Sequence, residues 1–502
     1  MIRKRAIAAV AVLVLVAVAS FAVYEVFYAG NVLSSGSSPC GAIPGGSVAR
    51  IQASESRFGA VTEYKLPGAD RYPHGVTNAS DGSVWFAEDE IPGVAHLYPN
   101  NGTVVEYAWP DYPTPQPPAC ILSVSVSGVA LWNGWVWGSD EYGNAIVGVN
   151  PSDGKTLALN TSAKADYPYW LAVGPDGNLW FTSDNTPARL GRVFANLTIQ
   201  AINLSGLGAD EPLTLYFVNS TLGYISSVNI SDYPKTVTCI CSGHVYSFNP
   251  ASASATITPK IVGPGFNLTL PTGVAYSEGS LWIPQHDSSN VMRYDIGTGI
   301  WTTYPTSTVS YVPVTLTLLT AAEDGRIWFN EHYANKIGEI DPAADTLAEY
   351  SESNPPATND TGIQNDVSIA VADGGVWFTS LSGNYIGFVD GTYNPGWSVA
   401  VAGADTAAAA PGGNASFTVG VTGSWPTPLG VSVSDSENLT SAPRLIRIAP
   451  SVSSVPAIGT ATYRLSVRIS VGEQVRLGSY TIAVTLTSGV TQQSVYFFVK
   501  IE

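Results

Sequence analysis

Positive charge is scarce in this chain: 22 Lys and Arg stand against 39 Asp and Glu, for a formal charge of -17, and only 12% of residues are charged at all. Nucleic acid and other polyanions are recognised by basic patches, which this balance does not supply, so nucleic-acid binding is not expected. Cysteine is almost missing too, with Cys40, Cys120, Cys239 and Cys241 alone. Four cysteines suit one or two disulfides in an oxidising compartment and leave three pairings open. Cys239 and Cys241 with His244 give a weaker zinc alternative. Helical periodicity is absent from the C-terminal ninety or so residues, and apolar runs of membrane-crossing length are absent after the first 24 residues.

That one apolar run, Ala6 to Tyr24, follows Arg3-Lys4-Arg5. A basic segment before a hydrophobic span is an export signal, and the run nearly reaches the ~20 residues a membrane helix needs, which favours an uncleaved anchor. Ala17-Val18-Ala19 fits a cleavage site and keeps a removable signal peptide open. Either reading places the bulk of the chain outside the cytoplasm, anchored at the cell surface with the N-terminus inside, or secreted. Asn-X-Ser/Thr sequons at Asn78, Asn101, Asn160, Asn196, Asn203, Asn219, Asn229, Asn267, Asn359, Asn414 and Asn438 agree with export and point to a glycoprotein.

What is abundant is repetition. The stretch from Asp324 to Tyr350, DGRIWFNEHYANKIGEIDPAADTLAEY, recurs as imperfect copies anchored at Trp85, Trp137, Trp180, Tyr224, Trp282, Trp328 and Trp377. Each copy has a polar turn, a run centred on an aromatic, a loop, an alternating strand, a second turn and a last strand. A period near 45 residues with about four strands describes a propeller blade, and seven anchors describe seven blades. Residues 60–67, AVTEYKLP, resemble an outermost strand standing before any blade, while the last repeat lacks a fourth strand. The early strand is therefore expected to close the last blade.

The expected fold is all-β: a seven-bladed β-propeller over 57–396 and an immunoglobulin-like β-sandwich over 415–502, with one N-terminal hydrophobic helix within 1–30. Linkers are expected at 31–56 and 397–414 from their Gly, Ser, Pro and Ala content. An insertion around Asp232 to His244 lengthens the fourth repeat.

At Trp328-Phe329-Asn330-Glu331 with Asn335-Lys336-Ile337-Gly338, at Pro73-His74-Gly75-Val76 with Trp85-Phe86-Ala87-Glu88, and at residues 173–182, VGPDGNLWFT, the chain resembles the streptogramin B lyase (virginiamycin B lyase) family. The resemblance covers roughly residues 60–390. It implies a seven-bladed propeller, and characterised members open a cyclic depsipeptide by Mg-assisted elimination at an ester. It further implies a site with two Pro-His motifs, a Glu two residues before one His, and a Glu four residues after a blade Trp. Here His74 fits one Pro-His motif, Tyr72 stands where that Glu is expected, and Asp89 lies four residues after Trp85. The second His position reads as Asp366, and Glu211-Pro212-Leu213 has Leu in place of a base.

Spacing from the anchors puts His286, Glu331 and His332 at the same rim as His74, Glu88 and Asp89. Two functions follow. The preferred one is a non-catalytic surface propeller whose rim, with Tyr72, Tyr169 and Asp366, binds a small molecule, a glycan or an envelope protein. The other is a C–O lyase or hydrolase with His74, His286 and His332 as acid or base and Glu88, Asp89 and Glu331 on Mg. The carboxylates also have a purely structural reading as repeat residues bonding nearby backbone. His96 and His244 fall outside these positions and read as ordinary surface residues.

Overall fold

The computed structural model describes residues 48–502 apart from 69–70, 89–92, 110–127, 142, 184–186, 205–209, 230–241, 253–257, 262–267, 270, 287–289, 308–315, 322–323, 332–333, 353–365, 382 and 436–445. Every regular element among the described residues is a β-strand. The N-terminal hydrophobic segment, the four cysteines and most of the fourth-repeat insertion lie outside them.

Seven antiparallel sheets follow one another, each with the order first, second, third, fourth strand, and each corresponds to one repeat. Blade 1 is Pro73–Asn78, Val84–Glu88, Gly93–Tyr98 and Thr103–Ala108, and blade 6 is Leu316–Ala321, Ile327–Glu331, Lys336–Asp341 and Thr346–Ser351. Blade 7 contributes only Asp366–Ala372, Gly375–Ser380 and Tyr385–Asp390 from the end of the repeat region. Its fourth strand is Val61–Lys65, with Val61 opposite Val389 and Lys65 opposite Tyr385. The ring is thus shut by main-chain hydrogen bonds between its two ends, and the outer edge of the third strand of blade 7 is paired.

The repeat sequence has a packing reason. In the third strands, Gly191, Gly338 and Gly387 lie directly under the rings of Phe181, Phe329 and Phe378, and a Cβ built there would overlap the ring. The Phe after the anchor Trp, fully buried in each case, requires a hydrogen-only partner across the sheet. A second recurring element is the asparagine that opens the third strand. Asn144, Asn335 and Asn384 adopt φ near +50°, a left-handed conformation that Asn tolerates better than most side chains. Each offers its carbonyl to the chain leaving the fourth strand: Thr161, Glu352 and Leu66 donate their N–H groups to Asn144, Asn335 and Asn384.

Two segments expected to be linkers carry strands. Within 31–56, Val48–Gln52 adds a fifth, outer strand to blade 1, and Ser54–Phe58 adds one to blade 7. Their composition misleads because an outer edge strand is solvated on both faces and needs little apolar content: Val48, Arg50 and Gln52 are exposed while Ala49 and Ile51 are only half-buried. Within 397–414, Trp397–Val401 and Thr406–Ala409 belong to the C-terminal domain.

That domain is two packed sheets. Trp397–Val401, Asn414–Trp425, Ile458–Val471 and Ile446–Pro450 form one, and the other contains Thr491–Ile501, Gly478–Ser488, Leu429–Asp435, Ser454–Val455 and Thr406–Ala409. Phe417, Val419, Trp425, Leu465, Ile482 and Phe497 fill the space between them. The second sheet does not end at the domain boundary. Thr491–Ile501 pairs antiparallel with the fourth strand of blade 6, Tyr350 opposite Thr491 and Thr346 opposite Val495, so one continuous nine-stranded sheet runs from the central channel into the sandwich. Tyr496 seals the joint: its hydroxyl donates to the Pro305 carbonyl at 3.0 Å, and its ring meets Tyr304 edge-on at 5.0 Å.

Candidate functional site at the channel mouth

The first strand of a blade enters from the channel end, and in five blades it does so through the same irregularity. Two residues of the first strand oppose one residue of the second: His74 and Gly75 in blade 1, Tyr169 and Trp170 in blade 3, Leu213 and Thr214 in blade 4, residues 317–318 in blade 6, and Val367 and Ser368 in blade 7. A β-bulge bends the strand and re-aims the side chain it carries. The position is held from the preceding blade. The hydroxyl two residues after the neighbouring anchor donates to the bulge carbonyl: Thr379 to His74, Ser139 to Tyr169 at 2.7 Å, and Thr182 to Leu213 at 2.8 Å.

This register corrects one expectation. Asp366 opposes Ser380 as Pro73 opposes Glu88, so Asp366 stands in the Pro position, and Val367 is the equivalent of His74. The sequence count slipped by one because a bulge leaves no residue signature of its own. Tyr169 and Leu213 do occupy the His74 position.

Tyr72 and Tyr167, each immediately before the Pro of a bulged strand, have φ of 50° and 53°. Non-glycine residues held in this region cost energy and tend to mark sites whose surroundings fix them. Tyr72, His74, Tyr167, Tyr169 and Trp170 are all half-buried, so the mouth presents partly exposed rings on blades 1 and 3.

The carboxylates lie deeper. Glu88 and Glu331 end the second strands of blades 1 and 6 and are 1% and 0% exposed. On the same face of blade 1, across Gly93 and Ala95, sits buried Glu106, which shares a hydrogen bond with Glu88; the Arg71 guanidinium bonds Glu106 and lies 3.7 Å from Glu88. Burial, then repulsion from Glu106, pushes Glu88 well above the usual carboxylate range, and Arg71 only partly opposes this. Blade 6 repeats the pair: Glu331 bonds Glu349 across Gly338, and the Lys336 ammonium is 3.4 Å from Glu349. Burial would raise Glu349, but Lys336 and hydrogen bonds from Glu331 and Ser307 outweigh it and hold the group low.

Blade 7 lies between blades 6 and 1, so Glu88 and Glu331 belong to two separate networks. His286, expected at the same rim, is buried as well, at 1% exposed. Asp89 and His332 lie outside the described residues, as does the side chain of Asp366. Among the described residues, no three His, Cys, Asp or Glu side chains come together as a metal site requires. Asp89, one of the three expected Mg ligands, is not among those residues.

His96 and His244 are not surface residues. His96 stacks on Trp85 at 3.9 Å and contacts the Ser83 hydroxyl at 2.6 Å, and burial lowers its pKa to about 4, so it is a neutral core side chain. His244 Nδ1 is 2.5 Å from Asp210, whose carboxylate also accepts from Tyr246 and Ser227. Neither carried a sequence signal, because alternation in a strand buried on both faces does not separate inside from outside.

In solved structures, the chain is similar to the virginiamycin B lyase of Staphylococcus aureus, with a TM-score of 0.51 and 20% identity over 66% of this chain and 98% of that one. It is similar to a streptogramin B lyase, with a TM-score of 0.51 and 21% identity over 66% and 97%. A catalytically inactive variant of the S. aureus enzyme with quinupristin gives a TM-score of 0.51 and 19% identity over 66% and 98%. At these identities the likeness is one of fold, and it supports a lyase-like propeller fold for this chain. No family model and no curated protein sequence matches the chain.

Proposed function

We propose that the protein is a non-catalytic binding propeller of the cell exterior, tethered through its N-terminal hydrophobic segment and glycosylated, whose channel mouth takes up a glycan, small molecule or envelope-protein segment. The observation that carries this reading is the state of Glu88 and Glu331. Each is buried beside a second carboxyl, with a basic side chain of its own blade nearby, an arrangement that suits a role in holding the sheet. What remains at the mouth is aromatic and half-exposed, a surface suited to stacking on a sugar ring or an extended peptide.

The test uses the full-length protein, an array of glycans and envelope peptides, and a streptogramin B-type cyclic depsipeptide with Mg2+. Binding that falls at least about tenfold, some 1.4 kcal/mol, in Tyr169→Ala, with the depsipeptide recovered intact by mass spectrometry, is the expected result. Mg2+-dependent opening of the ester that disappears in His74→Ala overturns it.

A further inference from the structure

The negative charge of this chain is unevenly placed. After Gly396 the acidic residues are Asp405, Asp435, Glu437, Glu473 and Glu502, against Arg444, Arg447, Arg464, Arg468, Arg476 and Lys500, so the sandwich is close to neutral and the rest of the chain carries the negative excess. Within the sandwich, the sheet that is not continuous with blade 6 turns Ser416, Thr422, Arg464, Ser466, Arg468 and Arg447 outward, all exposed. Register sets Arg468 opposite both Ser416 and Ala449, Arg464 opposite Gly420, and Arg447 one diagonal step from Arg468. None of the four strands carries a carboxylate, and no ion pair among the described residues uses these three arginines. The result is a flat face of hydroxyls and small side chains studded with unspent guanidinium groups.

The complement to this face is on the same chain. Turns between first and second strands sit at the end of the ring away from the bulged entrances, and they expose Asp81, Asp176, Glu278, Asp324 and Asp373 on blades 1, 3, 5, 6 and 7. Asp176 and Asp324 are paired with Arg192 and Arg326. Asp81, Glu278 and Asp373 carry no ion pair among the described residues.

We propose that the arginine face of the sandwich docks on the acidic end of the propeller of a second copy, head to tail. Guanidinium groups bind carboxylates through two parallel hydrogen bonds, and small neighbours such as Gly420 and Ala449 let an opposing surface approach. Repulsion between two negatively charged bodies is screened beyond a Debye length of about 8–10 Å, so the local match governs the contact. Each molecule carries one copy of either surface, which makes the contact heterologous and lets it propagate into chains. The contact does not depend on what the channel mouth binds.

Sedimentation velocity of the full-length chain in neutral detergent tests this with a charge swap. The wild type is expected to gain mass with concentration up to about 100 µM in about 100 mM salt and to return to monomer in about 500 mM salt, where screening is stronger. Arg447→Glu/Arg464→Glu/Arg468→Glu and Asp81→Lys/Glu278→Lys/Asp373→Lys are each expected to stay monomeric, and an equimolar mixture of the two to assemble again. The neutral Arg→Gln triple variant, checked by its melting curve, guards against misfolding and is also expected to be monomeric. A monomeric wild type at every concentration, or triple variants that associate within about twofold of it, overturns the proposal. So does a monomeric wild type that binds anionic-lipid vesicles through the same arginines, which would give the face to a membrane instead.

Discussion

The Lys336 ammonium in blade 6 donates to the Gln492 side chain of the sandwich at 3.0 Å, while lying 3.4 Å from Glu349. Ser307, at the end of blade 5, bonds both Glu349 and Gln492. One half-buried cation therefore neutralises a carboxyl pair and pins two domains at the strand where their sheets merge. Replacing Lys336 by Met leaves the acidic pair without its counter-charge. Loss of one partner from a buried pair costs about 3–5 kcal/mol, and equilibrium denaturation is expected to show a loss of that size. Lys336→Met with Glu349→Gln is expected to recover part of it, whereas Gln492→Ala costs about 1 kcal/mol, one hydrogen bond.

The ring closure rests on Asn384 as well as on strand pairing. Its Oδ1 accepts the Arg71 N–H at 2.9 Å, and its Nδ2 donates to the carbonyls of Leu66 and Gly68 at 3.3 Å. Asn384→Ala removes these bonds and places a Cβ residue without the Asn preference at φ 56°, for an expected loss of about 2–3 kcal/mol. Hydrogen exchange should quicken first in Val61–Lys65 and Tyr385–Asp390. Asn384→Gly keeps the backbone conformation accessible and is expected to lose less.

Stability should carry an unusual pH signature from blade 1. The folded-state pKa of Glu88 is raised, so the folded protein holds this proton more tightly than the unfolded chain. The contribution is fully present below the unfolded carboxylate value of about 4.3 and is lost as pH rises through the folded value. Glu349, held low, has the opposite sign and loses its contribution as pH falls. Glu88→Gln is therefore expected to melt higher than the wild type at neutral pH, with the gap closing toward pH about 4. Melting curves over that range check it, and a gap that is constant with pH would contradict it.

Gly338 makes the packing logic of the repeat testable. A methyl there overlaps the Phe329 ring, and overpacking of a tight core costs about 1–3 kcal/mol. Gly338→Ala should lose that much, and the double change with Phe329→Leu should lose less than the sum of its parts, as read by denaturant unfolding.

Much of the wheel was legible because its signals are local: Trp-Phe anchors, Asp-Gly turns and the alternating Ile-Gly strand each announce their own geometry. The early Thr62-Glu63-Tyr64 strand even revealed the closure, since it repeats Ala348-Glu349-Tyr350. The site was less legible. A bulge leaves no residue signature of its own, so the equivalent of His74 in blade 7 was placed one residue early, on Asp366 rather than Val367. The burial of Glu88 and Glu331 depends on partners 18 residues further along each blade, which pattern alone does not couple to them. The edge strand Val48–Gln52 and the merger of Thr491–Ile501 with blade 6 depend on long-range pairing and had no local cue.

The central claim is that the carboxylates near the channel mouth are structural. Titration of the full-length protein with Mn2+, a paramagnetic stand-in for Mg2+, followed by electron paramagnetic resonance, tests it most directly. The same Mn2+ titration curve is expected for the wild type, Glu88→Gln and Glu331→Gln. A stoichiometric Mn2+ site in the wild type that vanishes in either variant, while both remain folded, would contradict it.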